Sequence, residues 1–204
     1  MNIPIYNALI NDEDDGLVCV SIVNEPATEI NYVLFNKDKQ KQTFAIINEE
    51  KHLLSSVIMI CDVPIYRYSE SIGEYYIKYN AETIKKMAQK MLADGTFNIF
   101  DFDHNGERLE NGKIQLVELY IKDEDKGINP NFIDVPNGSL MATYKIEDDG
   151  IWEMVKSGEY NGLSLEGYFS IEECQTLSKI EDKDTDEILE LINQLKEKLN
   201  KHKK

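Results

Sequence analysis

Positive charge is scarce in this chain: 22 lysines and arginines stand against 38 aspartates and glutamates in 204 residues, a formal charge of −16 at pH 7. Such an excess of acid repels phosphates, which excludes generic DNA or RNA binding. Cysteine is scarcer. Cys19, Cys61 and Cys174 lie far apart, odd in number and without a CxxC pair. They read as reduced thiols of an intracellular protein, not as a disulfide framework or a zinc site. No apolar run approaches the ~18 residues of a membrane span. The N-terminus, MNIPIYNALINDEDDG, lacks the basic and apolar regions of a secretory signal. What is present is 42% hydrophobic residues, enough for the core of one large or two small domains.

Most of the sequence reads as strands. Leu17 to Val23 and Ile30 to Phe35 are apolar, β-branched runs separated by Asn-Glu-Pro-Ala, whose proline marks a turn. The polar stretch Asn36 to Gln42 reads as an exposed loop. Further strands are expected at Thr43–Ile47, Leu53–Ile60, Tyr75–Tyr79, Ile114–Ile121, Ser139–Ile146 and Leu163–Ile171. About eight closely spaced strands predict a closed or nearly closed sheet. Three helices interrupt them. Ala81 to Leu92 carries Ile84, Met87, Ala88, Met91 and Leu92 at helical spacing, with Asn80 placed to cap it and Gly95 beyond its end. Asp149 to Ser157 turns Ile151, Met154 and Val155 inward and stops at Gly158. Thr185 to Lys201 is amphipathic, with acids at its start and lysines at its end, as the helix dipole favours.

Three histidines make the search for a general base short. His52 stands among charged residues at a strand start, and His202 in the lysine-rich tail. His104 lies in Asn98-Ile-Phe-Asp-Phe-Asp-His-Asn-Gly106, which also fits an ordinary turn. Ser164 lies in Tyr160-Asn-Gly-Leu-Ser-Leu-Glu-Gly167, on a strand whose other face carries Leu163 and Leu165. Gly162 and Gly167 flank it and would let a substrate backbone approach. A solvent-facing serine of an amphipathic strand has the same pattern. The G-x-S-x-G elbow is not matched, because Glu166 stands at its second glycine. Asp101, Asp103, Asn105, Gly106 and Glu107 copy the first half of a calcium loop, but Gly112 occupies the place of its closing glutamate.

Taken in order, the stretch from about Phe44 to Glu173 resembles the XkdF-type phage serine proteases, relatives of the prohead maturation proteases. Ile60-Cys-Asp-Val-Pro-Ile-Tyr-Arg67 is similar to the family's entry strand, and Asp103-His-Asn-Gly106 to its histidine motif. Leu116 to Ile121 and Val135-Pro-Asn-Gly-Ser139 follow in register, and Trp152 to Gly167 is the longest and most specific match. The resemblance implies a serine nucleophile at Ser164, a general base at His104, and no metal or cofactor. It implies an α+β, assemblin-like β-barrel flanked by helices, with the C-terminal amphipathic helix appended. The expected division is a protease domain over residues 1–178, with N-terminal strands at 1–35 and the family-like core at 43–173. A charged link and helix follow at 179–204.

Leu17 to Ala27 resembles a strand that related proteases carry after the serine, which implies a circular permutation. That strand supplies a glutamate in relatives where this chain has Cys19. Two carboxylates stand in for it as the group that orients His104. Glu118, on the strand after the histidine, is preferred over Glu166, which shares the serine's own strand face. The resemblance thus implies a head-maturation endopeptidase acting in the host cytoplasm, inside the procapsid. Its partners would be scaffold and major capsid precursors, with self-association through the C-terminal helix and no nucleic-acid or membrane partner. The alternative is a non-catalytic capsid- or scaffold-associated protein that keeps the fold. A separation of His104 and Ser164 beyond about 8 Å would favour it.

Overall fold

The computed structural model describes residues 3–11, 15–24, 45–160 and 162–174. The chain divides into two units, Met1–Glu172 and Glu173–Lys204, and of the second only residues 173 and 174 are described. The strand expected at Ile30–Phe35 and the helix expected at 185–201 lie outside the described residues.

Among the described residues there are eleven strands and two α-helices. The strands are β1 (Ile5–Leu9), β2 (Gly16–Val23), β3 (Ala45–Asn48), β4 (Leu53–Met59), β5 (Ile65–Ser69), β6 (Gly73–Lys78), β7 (Phe100–Phe102), β8 (Ile114–Ile121), β9 (Leu140–Ile146), β10 (Gly162–Tyr168) and β11 (Ser170–Glu173). The helices are α1 (Ala81–Asp94) and α2 (Asp149–Ser157). None of the helices is long and apolar enough to cross a membrane.

The strands form three open sheets, ordered β11-β1-β6-β5, β10-β2-β7 and β3-β4-β9-β8. Among the described residues no sheet closes, so the expected closed or nearly closed barrel is not what these strands form. Short, turn-bounded strands read alike whether a sheet closes or splits. Here the register of β10 against β2 slips between Glu166 and Gly167, and after Tyr168 the chain passes on as β11 to pair with β1. A Cβ at Gly167 would stand 2.6 Å from the Gly16 carbonyl oxygen. The glycine is needed for that backbone approach within the fold, a different use from the substrate approach expected of it.

One apolar cluster joins the sheets and helices, with Val20, Ile22, Ile84, Met91, Leu140 and Tyr144 among its most deeply buried members. Asn80 caps α1 by accepting from the Thr83 amide at 2.8 Å, and Gly95 ends it in the left-handed conformation. Ile84, Met87, Ala88 and Met91 face inward as expected, but Leu92 is 54% exposed. In α2, Trp152 takes the inward place beside Ile151 and Val155, and Met154 is only half-buried.

Candidate active site

The small sheet β10-β2-β7 sets the site by register. Ser164 of β10 stands opposite Ser21 of β2, and Ser21 stands opposite Asp101 of β7. Directly paired residues point to the same face, so one row of three polar side chains crosses three strands. One row along, Glu166 stands opposite Cys19 on that face. Ser21 and Asp101 are fully buried, while Ser164 is half-buried on the outer strand.

His104 reaches this row because the chain turns sharply after β7. Asp103 and His104 hold φ of 47° and 57°, left-handed values that are costly for residues with a Cβ. The Asp103 amide donates to the Ile22 carbonyl at 3.0 Å, and the Asn105 amide to the Phe102 carbonyl at 2.9 Å. These bonds hold the turn against β2. The imidazole then bridges the two serines. Its Nε2 lies 2.9 Å from Ser164 Oγ, and its Nδ1 lies 2.8 Å from Ser21 Oγ.

The direction of each proton follows from the far end. A carboxylate only accepts, so the Ser21 hydroxyl donates to Asp101 Oδ1, at 2.5 Å. With its hydrogen committed there, Ser21 Oγ accepts from His104 Nδ1–H. That leaves Nε2 with its lone pair facing Ser164, whose hydroxyl donates to it. The row therefore selects the tautomer that a general base needs.

The second Asp101 oxygen faces Arg108 and Cys19. Arg108 Nη1 donates to Oδ2 at 3.0 Å, and the Cys19 thiol lies 3.7 Å away. The same thiol donates to Glu166 Oε2 at 3.2 Å. Burial first, then the carboxylates of Glu166 and Asp101, push the Cys19 thiol up to about 11. It is accordingly a proton donor near neutral pH, not a thiolate. Cys19, Asp101 and Glu166 bring possible metal ligands within 4.8 Å of one another. Their polar atoms are paired with each other and with Arg108.

Beside Ser164 lies a cleft walled by Ile58, Met59, Ile65, Tyr79 and Leu165. Among the described residues, Arg67 of β5 is the one charged residue lining it. The chain has only two arginines, Arg67 and Arg108, and both stand at this site.

Glu118 is not at the imidazole. It is exposed on β8, in another sheet, and accepts from the Thr143 hydroxyl at 2.8 Å. Ser21 fills the position assigned to it, so the expected orienting role of Glu118 is corrected. Glu166 also does not reach the ring; its partner is Cys19. His52 stacks on Trp152 with ring centroids 4.7 Å apart, far from this chemistry in role, and His202 lies outside the described residues. The half-loop for calcium is taken apart by the fold: Asp101 faces Ser21 and Arg108, and Asn105 accepts from the Glu107 amide. Sequence reasoning missed Ser21, Asp101 and Arg108. The usable signals were a serine inside an otherwise apolar strand, an aspartate between two phenylalanines, and the rarity of arginine.

The family model described as "Putative phage serine protease XkdF" matches residues 42–173, about two-thirds of the chain. No curated protein and no solved structure matches. The matched segment contains Ser164, His104 and Asp101, whereas Ser21 and Cys19 precede it.

Proposed function

The chain belongs to the phage serine protease XkdF family, and on that premise we propose that it is a head-maturation endopeptidase that cuts scaffold and capsid precursors inside the procapsid. The observation that carries this reading is the unbroken hydrogen-bonded series Ser164–His104–Ser21–Asp101, with separations of 2.9, 2.8 and 2.5 Å. A binding protein that merely kept the fold would have no need of a serine held on a correctly tautomerised imidazole.

In the mechanism Ser164 Oγ attacks the scissile carbonyl carbon while its proton passes to His104 Nε2. The imidazolium that forms keeps its Nδ1–H on Ser21, and the Asp101 charge stabilises it through that hydroxyl. His104 then gives its proton to the departing amine, leaving an acyl group on Ser164. A water molecule, deprotonated by the same nitrogen, releases the acyl group and restores the serine. Arg108 holds the Asp101 carboxylate in place.

The reading extends to an assemblin-type ancestry with a permuted N-terminal strand. It is supported by β2 lying hydrogen-bonded between the strand that carries Ser164 and the strand that leads to His104. The test is co-expression with the capsid and scaffold proteins of the same phage, read as cleavage on a gel. The parent should process them and Ser164→Ala should not; processing by that variant at the parental rate would remove Ser164 from the mechanism.

A further inference from the structure

We infer that the cleft beside Ser164 is a subsite for an acidic side chain, with Arg67 selecting substrates that carry glutamate next to the scissile bond. The inference rests on Ser164 being the nucleophile. Its walls are apolar and well buried: Ile58, Met59 and Tyr79 are 4%, 2% and 9% exposed. Ser164 itself lines the cleft, so a side chain entering here belongs to a residue lying beside the nucleophile.

Among the described residues Arg67 is the only charge in that lining, in a chain whose net charge is −16. A guanidinium offers five N–H donors. One of them, on Nη1, goes to the Tyr66 carbonyl at 2.9 Å. Among the described residues no aspartate or glutamate lines the cleft, and none forms an ion pair with Arg67. The other arginine is committed to Asp101 at 3.0 Å. Among the described residues, one planar cation thus stands without a carboxylate beside the nucleophile. Apolar walls strengthen such a pairing by lowering the local dielectric. The charge reaches into the cleft: burial raises the Tyr79 phenol, and Arg67 opposes that rise.

The preferred ligand has an apolar stem and an anionic end. Glutamate is preferred to aspartate, because its extra methylene would add apolar contact with walls such as Met59 and Leu165 while its carboxylate answers the guanidinium. Leucine would fill the walls and leave Arg67 unanswered. Lysine would be repelled.

The test uses diphenyl aminoalkylphosphonates bearing glutamate, glutamine, leucine or lysine side chains, applied to the full chain. Attack by Ser164 Oγ forms an O–P bond and expels phenoxide, so intact mass follows each rate. A fluorophosphonate without a side chain runs in parallel. The glutamate reagent should label roughly tenfold to a hundredfold faster than its glutamine isostere, the worth of a charge-assisted hydrogen bond. Arg67→Gln should erase that ratio, and Arg67→Glu should turn the preference toward lysine. Equal glutamate and glutamine rates in the parent, with the fluorophosphonate still labelling Ser164, would overturn the subsite and leave the nucleophile standing. That comparison needs no folded variant. No labelling by the fluorophosphonate would sink the nucleophile, and the subsite with it.

Discussion

Asp101→Asn is the most discriminating change, because the structure dictates which way the new amide must face. The Oδ2 side of Asp101 receives the Arg108 guanidinium at 3.0 Å, a donor that cannot accept. An asparagine there must turn its carbonyl oxygen to Arg108 and its NH₂ to Ser21. The NH₂ then donates to Ser21 Oγ, Ser21 donates to His104 Nδ1, and the imidazole carries its proton on Nε2. The base is switched off from two hydrogen bonds away. The opposite amide orientation would set N–H against N–H and lose a charge-assisted bond of about 1.5–3 kcal/mol. At about 1.4 kcal/mol per factor of ten, the productive tautomer falls to a few per cent of the population or less. Loss of the negative charge behind the imidazolium removes roughly another factor of ten. The expected fall in kcat/KM is about 10²–10³, below the roughly 10⁴ seen where a carboxylate touches the imidazole directly. Cleavage of the capsid precursor gives the rate, and nitrogen-15 shifts of His104 give the tautomer. Arg108→Ala in the same background should restore part of the rate, by letting the amide turn. An Asp101→Asn variant with an unprotonated Nε2 and activity within about threefold of the parent would refute the proton ordering.

Three further outcomes are expected. Ser21→Ala should cost roughly 10²-fold in kcat/KM by leaving Nδ1 without its acceptor, whereas Glu118→Gln, on an exposed strand bonded to Thr143, should behave as the parent; the reverse ranking would return Glu118 to the imidazole. Gly167→Ala should destabilise the chain by about 1–3 kcal/mol in a urea titration, since its Cβ meets the Gly16 carbonyl oxygen at 2.6 Å. Cys19 has its folded pKa pushed from 9.0 to about 11. Its contribution to stability is therefore complete below pH 9 and is lost as pH rises toward 11. Melting temperature should fall more steeply across that range in the parent than in Cys19→Ala, and parallel curves would contradict it.

The parts of the molecule legible in the sequence were those carried by local pattern. The helix at Ala81 was marked by its periodic apolar face and by Asn80 and Gly95 at its ends. The strand at Ile114–Ile121 was found to the residue. Strands β1 and β7 were not expected, and β5 was marked only by the resemblance of Ile60 to Arg67 to an entry strand. Phe100–Phe102 has only three residues, too few for alternation to declare itself. Ile65–Ser69 alternates between a buried edge and exposed tyrosines, which blurs the apolar signal. Ser164 and Glu166 were correctly placed on one face because the two-residue period holds as far as the irregularity at Gly167. Beyond it the single strand expected to Ile171 becomes two, in different sheets, and no period could have announced that.

The orienting group was out of reach for another reason: it depends on pairing between segments that are distant in sequence. Ser21 lies 83 residues before His104, and only the register of β2 against β7 and β10 brings it beneath the imidazole. The permutation argument came within two residues, pointing to Cys19 on the same strand and the same face. Register decides between them. Ser21 is opposite Ser164, whereas Cys19 is opposite Glu166, so only Ser21 can complete the row that begins at the nucleophile. A carboxylate directly at position 19 would face both Asp101 and Glu166, three acids around one buried point. The thiol there instead donates a hydrogen bond to Glu166, and the carboxylate in line with the base is Asp101, held by Arg108. The row needs β2 between β10 and β7, but it makes no demand on which end of the chain supplies that strand. This is the physical condition under which a permuted chain keeps its chemistry.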